Sequence, residues 1–206
     1  MHPNPAFRGT DTARSTAFAR ARGFGTLCTN GEATPLLAHV PFLLAEDGTT
    51  ADLHLVRSNP IARRADGPAT LAVSGPDGYV SPDWYGAPDQ VPTWHYVAVH
   101  LTGHLTRLPQ ESMRDLLDRE SAQFEAALPK PPWTTAKMTP DVLERMMRQI
   151  VPYRLHVERV DSTWKLSQNK PEAVRHAAAD RIETGSGQEL AQLAHLMRRP
   201  PDIILP

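Results

Sequence analysis

The chain has 206 residues, 40% of them hydrophobic and 22% charged, with a net charge of −1. That is enough chain for one full-sized core, and no charge excess marks it as a general nucleic-acid binder. A single cysteine, Cys28, rules out an intramolecular disulfide and fits a reducing compartment. No apolar run approaches the ~20 residues that span a bilayer, and the N-terminal stretch lacks the apolar core of a signal peptide, so a cytoplasmic protein is expected.

In chain order, "TDTARSTAFARARG" predicts a short helix with Thr10 or Asp11 as its cap, ending at Gly23. "FGTLCT" and "TPLLAHVPFLLA" read as strands joined through "NGE", a hairpin signal. Pro41 inside the second run predicts an edge, a bulge, or a point where the strand leaves its ladder. "ADLHLV" is a strand, "SNPIARRAD" a single turn or short helix, and "TLAVSG" another strand. "PDGYVSPDWYGAPDQVP" reads as a loop with a short extended piece.

"VPTWHYVAVHLTGHL" then predicts a long strand. Its alternation puts Val97, Val99, Leu101 and Leu105 on one face, and Trp94, Tyr96, His100 and His104 on the other. Neither face carries Lys or Glu, as expected of a strand with its inner side in a core and its outer side against a second subunit. The chain's own C-terminal helices are the other candidate cover. His100 and His104 lie roughly 13 Å apart on a strand, at ~3.3 Å per residue, too far to share one metal, and His95 falls on the opposite face.

A helix follows over "PQESMRDLLDRESAQFEAALP", with Met113, Leu116, Leu117, Glu120, Phe124 and Leu128 at helical spacing. "TPDVLERMMRQI" predicts a second, with Thr139 as N-cap, Pro140 at its first position, and Leu143, Met146, Met147 and Ile150 as the buried stripe. "YRLHVERVD" and "TWKLSQN" read as two strands. The tail reads as two helices broken at Gly185-Ser186-Gly187, with Ser186 and Glu189 as a capping box. Six or more strands in meander order, with added helices, predict a mainly β protein built on a small antiparallel barrel. There is no dinucleotide-binding or phosphate-binding glycine loop and no nucleophile elbow.

The blocks "PNPAFR", "GFGTL", "AHVPFLL", "LHLVRSNP", "YVSPDWY", "VPTWHYVAVHLTG" and "STWKLSQNK", in this order over about residues 1–180, resemble the PaiB-type FMN-binding negative transcriptional regulators. The resemblance implies an FMN-binding split β-barrel like that of pyridoxamine-phosphate oxidase. It also implies a homodimer with two flavin sites between the subunits. On that frame residues 1–170 are the flavin-binding domain, with a helical insert at about 109–149, and residues 171–206 are a C-terminal helical extension. Position 95 departs from the family pattern, which has Asn where this chain has His95.

Candidate FMN contacts follow from what the cofactor needs. Its phosphate needs cations and hydroxyl or amide donors. Arg57, Ser58 and Asn59 offer these past a strand end, with Arg63 and Arg64 further on. The flavin edge needs fixed donors and acceptors, for which the backbone around His39, Val40 and Pro41 is the candidate. Trp94 and His95 suit a flavin edge or a dimer seam. Lys165, Ser167, Gln168 and Asn169 form a polar run that could reach a ligand across the dimer, or Asn169 could simply cap a helix before Pro171. The family name implies a repressor, yet no helix-turn-helix is legible and the basic residues Arg14, Arg20 and Arg22 are few. DNA contact is therefore expected to be weak or indirect, and a flavin-dependent oxidoreductase acting on a small molecule is the alternative.

Overall fold

The computed structural model of the chain describes residues 2–8, 10–64 and 66–201. The last five residues of the C-terminal extension lie outside the described residues. The strands are β1 (Phe24–Thr29), β2 (Leu36–Leu44), β3 (Thr50–Val56), β4 (Gly67–Val80), β5 (Thr93–Arg107), β6 (Ile150–Lys165) and β7 (Gly187–Gln188). The helices are α1 (Thr12–Arg22), α2 (Met113–Glu125), α3 (Pro140–Met147), α4 (Glu172–Ile182) and α5 (Leu190–Arg198). The sheet order is β1-β2-β3-β6-β5-β4-β7, and β1 also pairs with β4. Six strands thus close into an antiparallel barrel, and β7 is added to β4. Closure leaves the barrel strands without a free ladder edge. No helix among the described residues is long and apolar enough to cross a membrane.

Two compact units divide the chain, and the long strands β4, β5 and β6 run through both. The first takes residues 1–18, 73–100 and 160–206. Its core joins Val80, Tyr85, Val97, Trp164 and Leu166 to Ala178, Ala179 and Ile182 of α4 and Leu193, Ala194 and Met197 of α5. The second unit takes residues 19–72 and 101–159. Leu27, Phe42, Leu53, Leu71, Leu101, Leu116 and Leu155 are buried there. A buried carboxylate there, Asp52, accepts two bonds from Arg154 (2.6 and 2.9 Å) and one from Arg119 (3.0 Å). Burial works to raise the Asp52 pKa, but the two guanidinium groups prevail and hold it below the usual carboxylate range.

Several predicted elements change in the fold. "PDGYV" belongs to β4 and is not a loop. Gly75 is required there by packing, since a Cβ would sit 2.5 Å from Phe18 Cζ and 2.9 Å from Val97 Cβ. "YRLHVERVD" and the "TWK" of "TWKLSQN" belong to one 16-residue strand, β6, and "LSQN" lies beyond its end. On α2, Met113, Leu116 and Glu120 are buried, whereas Phe124 is exposed, and Leu128, past the helix end, is exposed too. Met146 of α3 is exposed too, and Ile150 already belongs to β6. The Thr139 hydroxyl makes no capping bond. The Ser186–Glu189 capping box does not form. The Ser186 carbonyl instead accepts from Tyr79 N at 2.9 Å, the next two residues become β7, and Glu189 turns to φ 52° ahead of α5.

The Pro41 prediction has a clear outcome. β1 pairs with β2 over Phe24↔Pro41 to Thr29↔Leu36, but β3 pairs with β2 only over Phe42↔Leu53 to Leu44↔Ala51. The β2–β3 ladder therefore opens at Pro41, which has no N–H to give it. The 3-10 turn Ile61–Arg63 packs against both strands, with Ile61 buried.

Candidate functional site

Three of the sequence blocks converge in the first unit. Alternation along β5 turns His95 inward, and it is only 2% exposed. A 3-10 turn at Pro82–Tyr85, ended by Gly86 at φ 59°, buries the Tyr85 ring. β6 ends at Lys165, and two residues on Ser167 adopts φ 61°. A left-handed conformation at a non-glycine residue is held by its surroundings. Gln168 supplies part of that hold: its Oε1 accepts from Leu166 N at 2.8 Å and its Nε2 donates to the Trp164 carbonyl.

The Ser167 hydroxyl lies 2.7 Å from His95 Nε2 and 3.1 Å from Tyr85 Oη, and Tyr85 Oη lies 3.0 Å from the same nitrogen. Burial, reinforced by the charges of Lys165 and Lys170, lowers the His95 pKa to about 3, and the nearby Lys165 backbone offsets this only in part. The imidazole is therefore neutral at physiological pH. Nε2 then accepts from Ser167 O–H, the shortest contact, and Tyr85 O–H can donate to the serine oxygen. Burial also raises the Tyr85 pKa, which keeps its proton in place. His95 Nδ1 has no hydrogen-bond partner. With no carboxylate behind the imidazole and Ser167 only 1% exposed, this is no nucleophilic triad. It is a buried polar clamp that fixes the turn after β6.

The clamp displays two lysines. Lys165 Nζ donates to Thr93 Oγ1 at 2.5 Å and lies 6.0 Å from the Phe7 ring centroid. Lys170 Nζ donates to Gln90 Oε1 and sits 4.6 Å over the Tyr85 ring. Asn169 is exposed, and the residue before α4 is Pro171. Trp94, on the outer face of β5, is 49% exposed and meets Tyr79 edge-on at 6.5 Å. Sequence reasoning missed Tyr85 and Lys170. Tyr85 lies within one of the quoted blocks, but only the fold turns its hydroxyl toward His95.

The other candidates lie in the second unit. His39 is exposed, its Nδ1 3.0 Å from Thr26 Oγ1 and its ring stacked on Phe24. Val40 is buried and Pro41 half-buried at the opening of the ladder. The Arg57 guanidinium donates to the Arg148 carbonyl (3.0 Å), Gln110 Oε1 (2.9 Å) and the Ile150 carbonyl (3.5 Å). It thereby satisfies a carbonyl just past the end of α3. Asn59 Oδ1 accepts from Ile61 N at 2.9 Å and starts the 3-10 turn, while Ser58 is exposed. The turn leads into a cavity of about 420 Å³ lined by Thr29, Asn30, Arg63, Arg64, Asp66 and Tyr153, among others. The Thr29 hydroxyl oxygen there is buried without a hydrogen-bond partner. Asp66, the acid of the lining, has one oxygen accepting from Arg107 N at 2.9 Å. Among the described residues no group of three His, Cys, Asp or Glu is placed to hold a metal.

The ring of pairings is that of the split barrels, the class that includes flavin-binding proteins. The chain belongs to the family described as "Putative FMN-binding domain", matched over residues 1–159, and FMN is the cofactor of that family. It is similar to the "Protease synthase and sporulation protein PAI 2" of Bacillus subtilis (strain 168), with 28% identity over 196 residues and 93% of each chain covered. Among solved structures, it shares its fold with the FAD and heme binding protein from Mycobacterium smegmatis. The TM-score is 0.55 at 16% identity, over 77% of this chain and 73% of that one. A conserved hypothetical protein from Mycobacterium tuberculosis gives a TM-score of 0.54 at 16% identity, over 81% and 92%. The PaiB-type resemblance therefore stands, and with it the split barrel.

Proposed function

We propose that the chain is an FMN-binding regulator that acts as a homodimer and influences transcription without gripping DNA tightly itself. The observation that carries this reading is the engagement of its arginines. Arg14 lies 5.6 Å over the Trp164 ring, Arg20 is bonded to the carbonyls of Leu44, Ala45 and Glu46, and Arg198 pairs with Asp180 and Glu183. A chain of net charge −1 has no surplus of positive charge for DNA phosphates, whose neutralisation supplies most non-specific DNA affinity. The regulatory side is supported by the similarity to PAI 2, whose name ties that relative to protease synthesis and sporulation. The exposed Val91, just before β5, and Trp94, near its start, support the dimer.

The cavity beside the Ile61–Arg63 turn suits the FMN phosphate. Arg63 and Arg64 supply the charge, and the unpartnered Thr29 hydroxyl supplies a donor. Its size falls within the ~300–1,000 Å³ usual for small-molecule sites. Arg57, already holding carbonyls, contributes by fixing the turn's neighbourhood, and His39 to Pro41 offer backbone groups where the β2–β3 ladder opens. FMN, when bound, supplies the electron-transfer chemistry. The test combines the absorption spectrum of the purified protein with mobility-shift titrations on promoter and random DNA at two salt concentrations. A flavin spectrum with weak DNA binding, lost near physiological salt, is expected. Tight promoter-selective binding that survives that salt would make this a direct repressor. NAD(P)H-dependent bleaching of the flavin without any DNA binding would make it an oxidoreductase.

A further inference from the structure

The first unit holds two ammonium groups that no carboxylate pairs among the described residues. Lys165 and Lys170 are both half-buried, and each is bonded only to a neutral oxygen, Thr93 Oγ1 and Gln90 Oε1. Among the described residues neither makes a salt bridge. Asp83 and Asp89, the acids of the loop that carries Gln90, are exposed and form no salt bridge with either lysine. Lysines on a protein surface are ordinarily free to swing into water. These two are held in place. Lys165 is fixed between Thr93 and the Phe7 ring, and Lys170 between Gln90 and the Tyr85 ring. A neutral imidazole is near. His2 packs edge-on against Phe7 at 4.9 Å, its own N–H is tied to Thr163 Oγ1, and the Lys165 charge helps to lower its pKa after burial.

The support for this cluster is also unusual. Ser167, between the two lysines in sequence, is kept left-handed by the buried His95 and Tyr85. Strain of this kind, of the order of 1–3 kcal/mol, persists where the surroundings over-determine it, and it concentrates at ligand sites. A turn built only to connect β6 with α4 would need neither the strain nor two held ammonium groups whose charges both act on the His95 imidazole.

We propose that Lys165 and Lys170, set by the His95–Ser167–Tyr85 clamp, form an anion site for a phosphate group, distinct from the cavity beside Arg63 and Arg64. Two fixed ammonium groups match a dianion, and Thr93 Oγ1 adds a hydroxyl donor within the same set. The ligand is either free inorganic phosphate or the phosphoryl group of a small metabolite. The inference does not rest on the FMN reading, because the site uses none of the residues assigned to the flavin phosphate.

Calorimetric titration of the full chain, as purified and again after removal of flavin, with inorganic phosphate and with a small phosphomonoester tests it. Saturable, salt-sensitive binding is expected in both preparations. A phosphomonoester that binds more tightly than phosphate identifies a metabolite site, and the reverse order identifies free phosphate. Lys170→Gln should weaken binding about tenfold or more, whereas Lys165→Arg, which keeps the charge, should retain it. Riboflavin should not compete. Absence of saturable binding to the wild-type chain overturns the proposal without recourse to any variant. So does binding that Lys170→Gln leaves intact. Competition between FMN and phosphate at this site would mean that the anion is the flavin's own phosphate, and would overturn the claim of a second site.

Discussion

Replacing His95 by Asn should make the protein less sensitive to mild acid, even though it makes it less stable at neutral pH. In the folded chain the imidazole titrates at about 3, whereas an unfolded histidine titrates near 6.5. Between these values the unfolded state binds a proton that the folded state refuses. Stability contributed by the neutral imidazole is therefore complete above pH 6.5 and is lost as pH falls toward 3. From pH 7.5 to pH 5 the loss is about 2 kcal/mol, and it approaches about 4–5 kcal/mol below pH 3. Asn has no such proton. At pH 7.5 the variant should lose about 1–3 kcal/mol, because a shorter amide cannot serve both the Ser167 and Tyr85 hydroxyls. Urea unfolding of both proteins at pH 7.5, 6 and 5, at one protein concentration, measures the difference directly. Every other titrating group, including His2 with its own lowered value, is common to the two chains and cancels. The gap between them should close by about 2 kcal/mol by pH 5. A gap that stays constant across that range would refute the buried, neutral imidazole.

Three further outcomes are expected. Substitution of both Arg63 and Arg64 by Gln should weaken FMN about ten- to a hundredfold while changing riboflavin little, read by flavin fluorescence; equal losses would move the phosphate elsewhere. Ser167→Ala should cost about 1–3 kcal/mol in chemical denaturation, and Ser167→Gly less, because glycine accepts φ 61° freely; the opposite order would remove the strain argument. Gly103→Ala should destabilise by about 3 kcal/mol or more, since its Cβ would fall 1.8 Å from the His156 carbonyl oxygen; a variant with wild-type melting behaviour would contradict the strand register.

Much of the barrel was legible from local pattern alone. The alternation in β5 foretold which side of Val97, Val99 and Leu101 would be buried, because side chains on a strand must alternate. Pro41 announced the point where the β2–β3 ladder opens, because proline lacks the N–H that a ladder needs. The ordered blocks of residues carried the family and its cofactor. Local pattern misled where a distant partner outweighed it. Gly75 read as the end of a strand and Gly78 as a loop residue, yet β4 runs straight through both. Their missing side chains make room for Phe18 and Val97 in one case and for Leu190 and Leu193 in the other. Ser186 and Glu189 had capping-box spacing, but pairing of the following residues with β4 claimed the backbone first.

The site divides in the same way. Sequence alone singled out His95, Lys165 and Ser167 as chemistry-bearing residues and Arg57 as a cation past a strand end. Only the tertiary structure decided what each one does. It turned His95 and Ser167 into a buried clamp with Tyr85, a residue 82 positions from Ser167 in the chain. It committed Arg57 to the carbonyls of Arg148 and Ile150, some 90 residues away. It left Arg63, Arg64 and the Thr29 hydroxyl around an open cavity. Residue identity fixes which bonds a side chain can make. Which bonds it does make depends on the groups that closure of the barrel brings within hydrogen-bonding distance, and on whether water remains there to compete.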